Sequence, residues 1–254
     1  MTIINLSDKT HIVLKGKELD NNCASLFLES NYNWLDDFIV SFFEKPECSL
    51  YGWGPIQTYP PYTVILRQDM PSNAVYYIKT GTVKLMWSDK DGHELIAGLR
   101  HKNWFIGAPS VLLNKPYSFT VKTITECKMR CISTNNFLKL ISTNFEFTLH
   151  LMKMLSQEIY NHGRKIVIFG CIPARDRLKI LLRNFINSIE NHGDFRNKMK
   201  ICLPLTHREL AQIIAVTPEH LSRLLKYLEK QNIIKREKDG IILLNLLYFQ
   251  NSDQ

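Results

Sequence analysis

Glu219, Ser222 and Arg223 sit within five residues of one another in the stretch TPEHLSRLLKYLEK, and between them they can read the edges of base pairs. A glutamate accepts from the cytosine amino group, an arginine forks onto the two major-groove acceptors of guanine, and a serine serves either base type. Pro218 directly precedes them, close enough to touch a base edge. Thr206, His207, Arg208, Thr217 and Lys226 supply the hydroxyls and cations that hold phosphates. The same charges on an ordinary two-helix hairpin would form no more than a solvated face, so the elements that carry them decide between the readings.

Those elements are legible. Thr206 followed three residues later by Glu209 is a capping box, and Leu210, Ile213 and Ile214 then recur at helical spacing. Thr217 is a second N-cap, with Pro218 at the first helical position and Glu219 complementing the helix dipole. Leu221, Leu224, Leu225 and Leu228 form one face of this second helix, and Glu219, His220, Ser222, Arg223 and Lys226 fall largely on the other. Small Ala211 and Ala215 suit a close helix crossing. IIKREKDGIILLN then predicts strand, Asp239-Gly240 turn and strand, a β-hairpin wing. Two capped helices and a wing favour a winged helix-turn-helix whose second helix enters the major groove by its N-terminal end.

From about Tyr59 to Asn245 the chain resembles the Crp/Fnr superfamily of bacterial transcription regulators, and TPEHLSRLLKYLE looks like that family's recognition helix. The resemblance implies that Glu219 and Arg223 contact bases of a TGA core. Ser222, before the arginine, is closer to the Fnr branch, since Gly is usual in the cyclic-AMP branch. Two positions depart: Pro218 stands where cyclic-AMP-responsive members have a base-reading Arg, and Ala215 where many turns have Gly. The resemblance further implies double-stranded DNA, a second copy of the chain and RNA polymerase as partners, with a small-molecule effector as a further one.

At 254 residues the chain is long enough for two domains with separate cores. Its net charge is +8; from Ala174 onward 14 Lys and Arg face 9 Asp and Glu, a net +5, against 18 and 15 before it. A basic C-terminal third favours a polyanionic partner. No apolar run reaches the about 18–20 residues that span a bilayer, and MTIINLSDKTH lacks a basic region followed by an apolar core. Neither a membrane span nor a signal peptide is expected. The six cysteines, Cys23, Cys48, Cys127, Cys131, Cys171 and Cys202, form no disulfide framework, which fits a reducing cytoplasm. Cys127 and Cys131 share a strand face without a second pair to complete a zinc site, and read as small buried apolar residues. Cys23 and Cys48 cannot supply the four thiolates of the iron–sulfur centre of the Fnr branch. No metal site is expected and no cofactor can be named.

Met1 to Asn22 shows no clear period and reads as a loosely ordered arm. Trp34, Leu35, Phe38, Ile39, Phe42 and Phe43 then describe one amphipathic packing helix. From Tyr59 to about Ser133 the pattern turns to short strands: Thr63 to Arg67, Val75 to Thr80, Val83 to Ser88, His93 to Arg100 and Phe119 to Thr125. Val83, Leu85 and Trp87 alternate with polar residues as a half-buried strand should. This is the signature of a sandwich or jelly roll, and YYIKTGTVKL looks like the hairpin of the family's cyclic-nucleotide-binding β-roll.

The ligand pocket is where the chain departs from the family. Cyclic-nucleotide-binding members hold the phosphate with a G-E-[LIV] turn and an [RK]-[ST] pair. The matching segments here are Gly107-Ala108-Pro109-Ser110 and Tyr117-Ser118, and both the Glu and the Arg are gone. A buried cyclic phosphate would lack its counter-charge, so cyclic AMP is not expected to bind in the usual manner. Gly107, Ala108, Tyr117 and Ser118 remain candidates for another effector. Arg100, His101, Lys102 and Trp104 before the turn, and Lys122 after it, read either as loop and surface residues or as holders of an anionic metabolite. Arg67 and His93 are equally ambiguous.

Phe145, Thr148, Met152, Leu155, Ile159, His162, Ile166 and Phe169 step by alternating threes and fours, a heptad seam. The resemblance makes this the helix that pairs two subunits. His162 interrupts the seam beside Gly163; on the family it matches a hydroxyl residue that touches the nucleotide base, so it reads as an effector contact or pH switch, or as a packing feature. Gly170-Cys171-Ile172-Pro173 reads as a hinge, Ala174 to Ile189 as an amphipathic helix, Asn191 to Asn197 as a polar loop and Lys200 to Leu203 as a short strand.

The expected fold is α+β: an N-terminal antiparallel β jelly roll, a long dimerisation helix and a C-terminal winged helix-turn-helix domain. The expected divisions are 1–58 arm and helix, 59–134 β-roll sensor, 135–170 dimerisation region and 171–254 DNA-binding domain. The expected function is a homodimeric, sequence-specific transcription regulator; the alternative is a small-molecule-sensing module that does not touch DNA. A cupin-type enzyme would need clustered histidines, and the β region offers only His93 and His101, with Glu94. No catalytic residue is expected.

Overall fold

The computed structural model describes residues 33–44, 46–187, 199–201, 205–237, 240–245 and 247–250. The arm from Met1 to Asn22, Cys23, Cys202, Leu203, the 191–197 loop and Asp239 lie outside the described residues.

The helix α1 (Asn33–Glu44) leads through a short 3-10 turn into β1 (Gln57–Tyr59), β2 (Val64–Leu66), β3 (Ala74–Thr80), β4 (Val83–Ser88), β5 (Glu94–Arg100) and β6 (Phe105–Ile106). After α2 (Ala108–Leu112) come β7 (Thr120–Thr123), β8 (Cys127–Ser133), α3 (Thr134–Thr143) and the long α4 (Phe145–Cys171). The C-terminal part comprises α5 (Ala174–Asn187), β9 (Met199–Ile201), α6 (His207–Ile213), α7 (Pro218–Lys230), β10 (Ile234–Glu237), β11 (Gly240–Leu243) and α8 (Leu247–Gln250).

Two antiparallel four-stranded sheets, β1-β8-β3-β6 and β2-β7-β4-β5, make the β-roll. β3 and β4 therefore lie in different sheets. YYIKTGTVKL is a corner and not a hairpin, a correction to the expectation from resemblance. Gly81 makes the corner with φ +95°, where an added Cβ would lie 2.3 Å from the Glu126 carbonyl and 2.6 Å from Cys127 Sγ. The second corner, between β7 and β8, is laced to it: Ile124 N–H donates to the Thr82 carbonyl at 2.8 Å, and Thr82 N–H to Thr125 Oγ1 at 3.0 Å. Periodicity predicted both strands correctly, but it carries no information about which sheet each one joins.

Inside the roll, Ile39, Phe42 and Phe43 of α1 enter a core that also contains Trp53, Tyr77, Phe105 and Phe147. The rings of Phe43 and Tyr77 stack at 3.8 Å, and Phe42 meets Phe147 of α4 at 5.2 Å. The expected packing helix thus joins the roll to α4, and aromatic pairs of this kind each add about 0.5–1.5 kcal/mol beyond their burial.

The second core is separate from the first, but it is not confined to the C-terminal part. Ile96, Leu99 and Ile124 of the roll and Ile168 of α4 pack with Leu178, Leu181, Leu210, Ile214, Leu221 and Leu225. This covers the outer face of β4 and β5. Lys84, expected on a solvated face, is buried, while Trp87 beyond the cover is exposed and not half-buried.

Candidate nucleic-acid interface and sensor cavity

Thr206 caps α6 with a complete capping box, its hydroxyl accepting from Glu209 N–H while Glu209 Oε2 accepts from Thr206 N–H at 2.7 Å. Three residues of turn then lead to Thr217, whose hydroxyl accepts from His220 N–H at 3.2 Å and starts α7 with Pro218 at its first position. Ala215, expected at the helix crossing, lies in this turn at φ +53° and is exposed, in the left-handed conformation that costs a non-glycine residue about 1–2 kcal/mol. Arg177 of α5 grips the strained residue: its Nη2 donates to the Ala215 carbonyl at 3.3 Å, and its Nη1 donates to the carbonyls of Phe169 at 2.9 Å and Ile172 at 3.2 Å. One guanidinium thus joins the end of α4, the hinge and the helix-turn-helix. α4 itself runs through Gly170 and Cys171, so the break falls at Ile172-Pro173, where proline disfavours helix in the residue before it.

On α7, Leu221, Leu225 and Leu228 are buried while Glu219, Arg223 and Lys226 are exposed and Ser222 is half-buried beside them. Glu219 is held below the usual carboxylate range by its own backbone N–H and the Thr217 hydroxyl, with Arg223 and His207 contributing. It remains an ionised acceptor. His207, Arg208 and Pro218 are exposed on the same side, whereas the Thr206 and Thr217 hydroxyls are already engaged in capping. Glu229 grips Arg236 of β10 through Oε2 at 2.9 Å and accepts from its N–H at 3.0 Å, which fixes the wing against α7. Asn232, in the left-handed conformation just past α7, ends the helix there.

α6 faces the roll. Its Glu209 pairs through Oε1 with Lys84 of β4, and Gln212 Nε2 donates to the Glu94 carbonyl of β5 at 2.8 Å. Burial alone would raise the Glu209 pKa, but Lys84 and the Thr206 N–H and hydroxyl outweigh it and hold the carboxyl below its ordinary value. Neither Lys84 nor the second role of Glu209 was expected from the sequence, because the partners are 125 residues apart.

A cavity of about 80 Å³ lies inside the roll against α4. Gly107, Tyr117 and Ser118 line it as expected; Ala108 and His162 are not among its lining residues. Gly107 has φ +85°, and an added Cβ would meet the Ala74 carbonyl and Tyr117 Cε1, both at 3.0 Å. The Tyr117 hydroxyl donates to the Ala74 carbonyl at 2.7 Å and accepts from Ala74 N–H at 3.0 Å, so it bolts the loop to β3 and offers the cavity only its ring. Arg100 and Trp104, readable from sequence as surface residues, are buried in the cavity wall, the guanidinium 5.0 Å from the indole centroid and paired with Glu158 of α4. Of the two readings the sequence left open, surface residues or pocket residues, these two belong to the pocket wall. A cation at the end of an apolar strand was a visible signal, but its counter-ion lies 58 residues away. His93 bonds Asp89 through Nδ1 at 2.8 Å at one end of β5, and His101 Nδ1 lies 2.7 Å from Thr82 Oγ1 beyond the other, so the two histidines are not brought together.

α4 has two faces. Phe147, Leu151, Met154, Asn161 and Ile168 are buried, whereas Met152, Ile159 and Ile166 are 60, 73 and 73% exposed. Leu155 is half-buried, and Phe145 and Phe169 are exposed. His162 is half-exposed, with Nε2 3.9 Å from Glu158. The heptad stripe is thus the outward face of the helix.

Two family models match: "Cyclic nucleotide-binding domain" over residues 56–144 and "Crp-like helix-turn-helix domain" over 178–250. The chain is 25% identical over 191 residues to the cAMP-activated global transcriptional regulator CRP of Salmonella typhimurium, covering 74% of this chain and 89% of that protein. It is 24% identical over 188 residues to the anaerobic regulatory protein of Bacillus subtilis, covering 72 and 77%. Among solved structures, FixK2 from Bradyrhizobium japonicum superposes with a TM-score of 0.65 at 20% identity, over 79% of this chain and 97% of that one.

Proposed function

This chain belongs to the Crp/Fnr superfamily of transcription regulators, and we propose that it acts as a homodimer whose paired α7 helices read an inverted DNA repeat with TGA-type half-sites. The carrying observation is the solvent-facing polar stripe of α7, presented by a capped N-terminus while the opposite leucine face is buried. In the proposed complex Arg223 forks onto a guanine, Glu219 accepts from a cytosine, Ser222 and Pro218 complete the base contact, and Thr206, His207, Arg208, Thr217 and Lys226 face phosphates.

A two-fold-symmetric site requires a two-fold-symmetric reader, with half-sites about 34–36 Å apart. The outward stripe Met152, Ile159, Ile166 and Phe169, with half-buried Leu155 at its edge, is the surface that supports it, since an apolar helix face of this length is otherwise left in water. We assign 1–58 to an arm and helix, 59–134 to the sensor, 135–170 to the pairing region and 171–254 to DNA binding, in a cytoplasmic protein that works on RNA polymerase. Among the described residues no helix is long and apolar enough to cross a membrane.

The Salmonella relative is cAMP-activated. Here the cavity carries an Arg100–Glu158 pair, and we propose an effector other than cyclic AMP. Control then runs by two contacts: the cavity touches α4 through Glu158, and the sensor sheet touches the reading domain through Lys84 and Glu209. Selection of bound duplexes from a random DNA pool, with and without a small-molecule cell extract, tests the reading. An enriched inverted repeat is expected; no enrichment in either condition overturns it in favour of a sensing module that does not touch DNA.

A further inference from the structure

The cavity wall in the roll holds one cation and one anion, and they come from different elements. Arg100 belongs to β5, where it is paired with Val83 of β4; its side chain is 3% exposed, its Nη1 donates to the Leu99 carbonyl at 2.9 Å, and its guanidinium lies over Trp104. Glu158 stands on a different element, α4, with a side chain 15% exposed and His162 as its neighbour at the helix surface. Moving a carboxylate outward returns it to water. Moving the guanidinium would require the strand to unpair, and taking Glu158 away removes a counter-charge from a buried cation.

The rest of the lining is chiefly apolar, with Leu66, Leu85, Phe105, Ile106, Phe119 and Val121 around the ion pair, and of the lining residues only Arg100 and Glu158 are charged. With about 80 Å³ of free space, to which the volume vacated by Glu158 would be added, the cavity suits a compact group.

We infer that the cavity binds a compact monocarboxylate with an aryl or branched aliphatic body, which takes the place of Glu158 on Arg100. Exchanging one monoanion for another leaves the net charge of the cavity unchanged, whereas a phosphate dianion would bring an uncompensated charge into an apolar wall. The guanidinium fork matches a carboxylate in two parallel hydrogen bonds, and the body of the ligand packs against Trp104 and the aliphatic wall. The displaced Glu158 turns toward His162, which stands between Ile159 and Ile166 on the outward stripe of α4. Occupancy is thereby reported on the face assigned to the second subunit. The inference rests on the effector-controlled reading proposed above.

The test is calorimetric titration of the full-length chain with benzoate, phenylacetate and isovalerate, and with benzyl alcohol and cyclic AMP for comparison. At least one carboxylate is expected to bind saturably and at least tenfold more tightly than either comparison compound. Glu158→Gln, which removes the competing anion, is expected to tighten that carboxylate's binding at least tenfold, and Arg100→Gln to abolish it. No binding by any of the three acids, equal binding of benzyl alcohol, or an unchanged or weakened affinity in Glu158→Gln overturns the inference. Should Arg100→Gln fail to fold, the uncharged probe and the Glu158 variant decide the matter. None of these titrations involves DNA. An enriched repeat without acid binding defeats this inference alone, and acid binding without an enriched repeat defeats the regulator reading while leaving the site.

Discussion

The polar face of α7 and the polar contact between α6 and the sensor sheet lie one helix apart and are built on opposite terms. On α7, Glu219, Arg223 and Lys226 face water. On α6, Glu209 is drawn inward to Lys84, under a cover that leaves their side chains only 18 and 10% exposed. Exposed charges contribute little to a fold and are available to a partner. Buried paired charges contribute specificity of docking and become costly when one is removed. The contrast separates the charges this domain leaves open to a partner from those it uses for attachment.

The sharpest way to break the contrast is to remove the partner that the outward surfaces require. Ile159→Asp in the exposed stripe of α4 should yield monomers by sedimentation and abolish binding to the inverted repeat; a persisting dimer defeats the pairing assignment. Arg223→Ala should lose roughly 1–3 kcal/mol of specific binding while leaving thermal stability within about 0.5 kcal/mol. A large fall in melting temperature would mean that α7's charges serve the fold after all.

Lys84→Met should do the converse. It leaves the Glu209 carboxylate in a covered site without its counter-charge, a cost of about 1–3 kcal/mol, visible as a lowered melting transition, with base preference in duplex selection unchanged. The pH dependence carries the same sign: because the folded-state pKa of Glu209 is depressed, its contribution is present above about pH 4.5, the ordinary carboxylate value, and is lost as pH falls through the depressed one. The acid limb of the stability curve should therefore flatten in the variant, and an identical curve counts against the contact. The smallest effect belongs to Lys226→Ala, expected to weaken all duplexes alike and to reduce the salt slope by about 1. An unchanged slope removes Lys226 from the phosphate contacts.

The same contrast explains what the sequence could disclose. α7 was legible because its cap, its dipole-matched Glu219 and its leucine face are all local, set by spacings of one to four residues. The stripe of α4 was legible for the same reason, although its position relative to the cavity was not: helical periodicity separates the buried Asn161 from the half-exposed His162 by one residue, and the expected effector contact fell on the outward one. Arg100 was legible only as one of two alternatives and Lys84 not at all, because a lone cation in a strand has no local partner, and the two carboxylates that pair with them arrive from helices later in the chain. Strand existence was likewise local, whereas the assignment of β3 and β4 to different sheets was settled by Gly81 and the Glu126 corner pressed against it.

The two oxygens of Glu209 divide their labour. Oε2 completes the cap of α6 through Thr206, while Oε1 alone crosses to Lys84. Breaking the bond to Oε1 would therefore leave the cap of α6 closed, so that loss of the ion pair to the sensor sheet and unravelling of the helix are separate events, while Gln212 and the shared core around Ile96 and Leu99 still hold the two parts together.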